Sequence, residues 1–149
     1  MKLEFGNNLQ RFFGGGVKLW SIEKILLVKF FEYLPDGIRR TVEKQIDQYN
    51  LVQREINGRA VNFYCKKFLN SGAKIPLLTT KVVETKLLSI QFKIPDEKND
   101  LNANFWLVNG RFFSINFSHD MRPFKKVEKV NILDVKNSWR SNVILSEGV

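Results

Sequence analysis

Twice in 149 residues, at Asn57-Gly58 and Asn109-Gly110, the chain writes Asn-Gly-Arg between apolar-rich runs. No other feature constrains the fold as much. A two-residue type I′ turn needs positive φ at both central positions, and Asn and Gly tolerate that conformation best. Each dipeptide therefore predicts a β-hairpin and fixes its register.

Centred on Asn57-Gly58, the register sets Ile56 against Arg59, Arg54 against Val61 and Val52 against Phe63 on one side of the pleat. Glu55 with Ala60 and Gln53 with Asn62 fall on the other. One face is apolar apart from two arginines and the other is polar, as expected of a strand pair packed on one side only. Centred on Asn109-Gly110, Trp106 opposes Phe113 and Asn104 opposes Ile115 on one face, while Leu107 opposes Phe112 and Phe105 opposes Ser114 on the other. Rings now occupy both faces. Such a hairpin is either central and covered on both sides, or it presents an aromatic surface. The likeness between the two segments covers about ten residues and reads as turn chemistry, not as a repeat.

Upstream, Ser21 to Leu34 predicts a helix, with Ser21 as cap, Glu23 in the first turn, and Ile22, Ile25, Leu26, Phe30, Tyr33 and Leu34 at helical spacing. Leu27, Val28 and Phe31 widen the apolar coverage, so this helix should be largely buried. Pro35 ends it, and Asp36 is expected to cap a second helix running to about Asn50, with Ile38, Val42, Ile46 and Tyr49 as its stripe. Leu88, Ile90, Phe92 and Ile94 alternate with polar residues and predict a further strand, followed by a loop from Pro95 to Asn102. Val127 to Val135 suggests a last strand. The expected fold is a single α+β domain over residues 1–149, with an N-terminal αα-hairpin packed on a mainly antiparallel sheet of about five strands containing the two Asn-Gly hairpins. Residues 1–20 form a glycine-containing N-terminal arm and residues 137–149 a less ordered tail in which Trp139 could act as an anchor.

Little in the chain points to chemistry. Gly14-Gly15-Gly16 is followed by Val17 and Lys18, which does not match a phosphate loop, and a hinge is the expected role. Cys65 is the single cysteine, so no internal disulfide or multi-thiolate zinc site can form, and it reads as a small core residue beside Phe63. His119 is the single histidine, and no spacing brings it to Cys65. No catalytic residue, cofactor or metal is expected. Met1 to Gly6 lacks the unbroken apolar stretch of a signal peptide, and no run approaches the ~18 apolar residues of a membrane span, so a cytoplasmic protein without membrane contact is expected.

The net charge of +9 favours anionic partners without naming one, and the pairs Arg39-Arg40, Lys66-Lys67 and Lys125-Lys126 read as solvated surface. The leading expectation is a small non-catalytic interaction protein that binds a protein partner or forms a homodimer through its aromatic hairpin. The alternative is a basic module for single-stranded RNA or DNA. In either case the candidate binding surface is Phe105, Trp106, Arg111, Phe112, Phe113, Arg122, Lys125 and Lys126.

Overall fold

The computed structural model describes residues 17–65 and 75–145. Two consecutive helices, α1 (Ser21–Tyr33) and α2 (Asp36–Asp47), lead into the strands β1 (Leu51–Arg54) and β2 (Ala60–Tyr64). Then come β3 (Thr79–Thr80), β4 (Glu84–Lys93), β5 (Leu101–Val108), β6 (Arg111–Phe117), β7 (Asn131–Lys136), a short α3 (Trp139–Asn142) and β8 (Val143–Ile144). Six strands make one antiparallel sheet in the order β1-β2-β6-β5-β4-β7, while β3 and β8 form a separate ribbon.

Helix spacing explains which face goes inside. In α1 the residues Ile22, Leu26, Leu27, Phe30 and Phe31 are buried, joined just beyond by Leu34; in α2 they are Ile38, Val42 and Ile46, continued by Tyr49. Each of these side chains contributes about 1.5–3 kcal/mol by leaving water. Phe30 is the centre of the packing: its ring stacks on Phe105 with centroids 4.4 Å apart and planes 1° from parallel, and it lies 5.2 Å from Phe112. The helices thus cover one face of the sheet, against Val52, Val61, Phe63, Leu88, Ile90, Phe92, Phe105, Phe112 and Ile115.

The caps differ from expectation. Trp20, not Ser21, precedes the first helical residue, and its N–H is accepted by Glu23 Oε1 at 2.7 Å. Pro35 takes the corresponding place before α2, with Asp36 already helical. Buried Glu23 also accepts Arg54 Nε at 2.7 Å and Nη2 at 2.5 Å, tying the start of α1 to the edge strand β1. The guanidinium lies 3.7 Å over the Trp20 ring and donates from Nη2 to Lys18 O at 2.7 Å, so the buried ion pair has its hydrogen bonds satisfied.

The first hairpin pairs in the expected register, Val52 with Phe63 and Arg54 with Val61. Its turn does not follow the type I′ form, because only Gly58 has positive φ, at +69°. Asn57 Oδ1 instead accepts the Arg59 N–H at 3.0 Å and Glu55 O accepts the Gly58 N–H at 2.9 Å, so the side chain of Asn57 does part of the turning. Ile56, expected on the apolar face, projects at the tip and is 94% exposed. At Asn109-Gly110 both residues have positive φ, +52° and +77°, as a type I′ turn requires.

Toward the C-terminus α3 is followed by β8, whose Val143 is buried and pairs with Thr80. The glycine cluster of the N-terminal arm lies outside the described residues. Among the described residues no helix is long and apolar enough to cross a membrane.

Candidate binding site on the open face of the sheet

The decisive local event is a β-bulge in β6. Next to the turn, Val108 pairs with Arg111 and Leu107 with Phe112, as the sequence predicts. The register then slips by one residue, so Trp106 faces Ser114 and Phe105 faces Ile115. Without the slip Phe105 would sit across from Ser114, and Ile115 would share the outward side with Trp106. The bulge takes Phe112, Ile115 and Phe117 into the core and leaves the neighbours Phe113 and Ser114 together on the outward side.

Beside the bulge, α2 reaches across to the backbone of β6 and its turn. Gln45, fully buried, accepts the Phe112 N–H at 2.9 Å through Oε1 and donates through Nε2 to Gly110 O and to Pro76 O, each at 2.8 Å. One turn on, the Tyr49 hydroxyl donates to Phe112 O. Burial raises the Tyr49 phenol above its ordinary value; nearby Arg111 opposes the shift and Cys65 adds to it. Gly110 is equally committed, since a Cβ there would stand 2.3 Å from Leu78 O.

Across the outward face the pairing makes a row from Asn62 to Ser114, Trp106 and Lys86. Around it lies a concavity of about 320 Å³, lined by Glu55, Ala60, Asn62, Glu84, Trp106, Val108, Phe113, Ser114 and Asn116. Trp106 and Phe113 are half-buried in it, and Phe113 also meets Tyr64 edge-on with centroids 5.4 Å apart. Lys86 Nζ stands 5.4 Å from the Trp106 ring centroid. Ser114, only 4% exposed as a whole residue, lines the concavity.

The eight residues expected to form one surface are therefore distributed over several places. Phe105 and Phe112 are corrected outright: both are fully buried against Phe30, because the core face of the hairpin is covered by α1. Trp106 and Phe113 are on the open face. Arg111 borders a neighbouring concavity of about 390 Å³ with Tyr49, Tyr64 and Cys65. Arg122 and Lys125 sit at the other end of β6, with the exposed Lys126 following them. There Lys125 Nζ lies 5.2 Å from the Trp20 ring. Arg122 binds Asp120 through Nε at 2.9 and 3.0 Å and Nη2 at 2.5 Å, and these bonds hold the Asp120 carboxyl below its usual range. The tip of the first hairpin closes against this corner, where a Cβ on Gly58 would be 3.1 Å from the Trp20 ring and 3.2 Å from the Arg122 nitrogen.

Cys65 and His119 do not meet. Because β2 runs antiparallel to β6 with Asn62 opposite Ser114, Cys65 comes beside the start of β6 while His119 follows its end, with roughly 20 Å of strand between. His119 Nδ1 instead contacts the Ser118 hydroxyl at 2.7 Å. No group of three or more His, Cys, Asp or Glu among the described residues could hold a metal ion.

The residues missed from sequence are Ser114, Asn62, Asn116, Glu55 and Glu84. One signal was present: Phe112, Ile115 and Phe117 are spaced by three and then two, a break in strict alternation that marks an extra residue in a strand. No protein-family model, curated protein or solved structure matches the chain.

Proposed function

We propose that the chain is a non-catalytic recognition domain that binds a protein partner on the uncovered face of its six-stranded sheet. One observation carries the reading: helices cover only one face, and the other holds half-buried Trp106 and Phe113 in a concavity rimmed by amides and carboxylates. Large rings that can leave water only when a partner arrives are the usual anchors of protein interfaces. Glu55 and Glu84 at the rim would repel a phosphate backbone, which favours protein over nucleic acid at this face. The separation of Cys65 from His119 supports a role without catalysis.

The test is affinity enrichment from cells of the source organism after nuclease treatment, with Trp106→Glu and a control, Lys98→Glu, in the exposed loop between β4 and β5. A protein recovered by the wild type and the control but lost by Trp106→Glu is expected. Recovery unchanged by Trp106→Glu, or dependent on nucleic acid, would overturn the reading. If the recovered protein is the chain itself, sedimentation equilibrium will give a concentration-dependent mass that Trp106→Glu abolishes.

Nucleic acid is the second reading, and it attaches to the Trp20 corner. There exposed Lys18, Arg59, Arg122 and Lys125 surround a half-buried ring, a combination that can stack a base and contact phosphates. It predicts single-strand affinity that falls steeply with salt and with Lys125→Glu; a flat salt response would dismiss it.

A further inference from the structure

We propose that the concavity around Trp106 is a pocket for an arginine side chain of the partner. This rests on the open face being the recognition surface and adds the chemistry that the surface selects. Four observations point to a guanidinium.

The first is charge. In a chain whose cations outnumber its acids by 24 to 15, Glu55 and Glu84 both border the same concavity, and neither has an ion pair among the described residues. The second is the ring. Trp106 offers a face to a cation, and Lys86 already places its ammonium 5.4 Å from the centroid, a cation–π distance. The third is the polar lining: the Ser114 hydroxyl borders the pocket, flanked by Asn62 and near Asn116, and the oxygens of all three side chains can accept from a donor-rich fork. The fourth is size: about 320 Å³ lies at the lower limit of ligand sites and suits one side chain better than a nucleotide.

Arginine fits this set better than lysine. Its planar fork can stack on indole while donating to carboxylate, amide and hydroxyl oxygens in its own plane, whereas an ammonium is a point charge with three donors. The fold itself contains the filled version of the arrangement. Arg54 lies 3.7 Å over Trp20 and donates to Glu23 at 2.7 and 2.5 Å and to a backbone oxygen at 2.7 Å. Trp106 with Glu55 and Glu84 repeats the ring and the carboxylates without the guanidinium. Lys86 is the one cation facing the ring from the next strand, so it acts as a resident competitor that the arginine displaces.

The test is a titration of the ¹⁵N-labelled chain with N-acetyl-arginine methylamide, its neutral citrulline counterpart and N-acetyl-lysine methylamide, following the Trp106 indole and the Ser114 and Asn62 amides. The arginine probe should give saturable shifts at these positions and bind at least tenfold more tightly than the citrulline probe. The combined substitution Glu55→Gln and Glu84→Gln should weaken it at least tenfold while leaving the folded spectrum in place, and Lys86→Gln should tighten it. Equal binding of citrulline, indifference to the two Glu substitutions, or tighter binding of the lysine probe would overturn the proposal. A partner lost by Trp106→Glu but retained by the double Glu variant would refute the arginine pocket and leave the open-face reading standing.

Discussion

Replacing Gln45 by Met isolates the device that holds the bulge. The two side chains have similar length and helix propensity, so α2 itself should be little affected. What is lost is a set of three bonds: from Phe112 N–H at 2.9 Å, and to Gly110 O and Pro76 O at 2.8 Å each. Gly110 O keeps the Leu78 N–H at 3.0 Å, so its loss is partial. Phe112 N–H is left buried without a partner, a penalty of about 1–3 kcal/mol, and Pro76 O forfeits a bond worth about 0.5–1.5 kcal/mol. The sum is about 2–4 kcal/mol, a large share of the ~5–15 kcal/mol that holds a typical domain together. Urea unfolding should register it as a midpoint lowered by about 1–2 M at an unchanged slope. Gln48→Met, three residues on at the C-terminal cap of α2 and only partly buried, serves as control and should cost under ~0.5 kcal/mol. The Phe113 and Ser114 amides and the Trp106 indole should shift in the Gln45 variant and not in the control. Equal stability of the two variants would refute the reasoning, because the bulge would then be held by the strand pairing alone.

Other consequences can be measured in the same way. Gly110→Ala should destabilise by more than ~2 kcal/mol in urea, since the new Cβ meets Leu78 O at 2.3 Å at a φ of +77°. Arg54→Met leaves Glu23 buried without its counter-charge and should cost about 3 kcal/mol, most of it recovered when Glu23→Leu is added. The Tyr49 phenol, raised by burial, holds its proton in the fold at pH values where the unfolded chain has released it. Stability from this source is complete below pH ~10 and falls by up to ~1.4 kcal/mol per unit above it, until the folded group also ionises. Tyr49→Phe should flatten that part of the alkaline stability profile while lowering stability at neutral pH, because the bond to Phe112 O is lost.

How far the sequence could be read depended on whether a feature is local. The stripe Ile38, Val42, Ile46 and Tyr49 is a property of one helix, and all four are buried as expected. The register of the first hairpin and the two pairs nearest the second turn follow from turn position alone. The bracing beside the bulge is different in kind, since Gln45 and Tyr49 bond the Phe112 backbone from more than sixty residues away. Which face of the second hairpin α1 covers is likewise a tertiary fact, and it is what removes Phe105 and Phe112 from the expected surface. The pairing of β8 with β3 was equally hidden, because strands of two residues carry no periodicity. Nothing in the sequence marks Gln45, and Glu23 reads only as a first-turn acid; packing shows both to be buried joints.

The most direct test of a sheet covered on one face and open on the other is the attenuation of side-chain proton signals by a soluble paramagnetic probe. Trp106, Phe113 and Asn116 should lose intensity strongly, while Phe105, Phe112 and Ile115 on the same two strands keep theirs. Equal protection of Trp106 and Phe105, or strong attenuation of Phe112, would mean that the strands do not present these faces, and the binding site would have no surface to occupy.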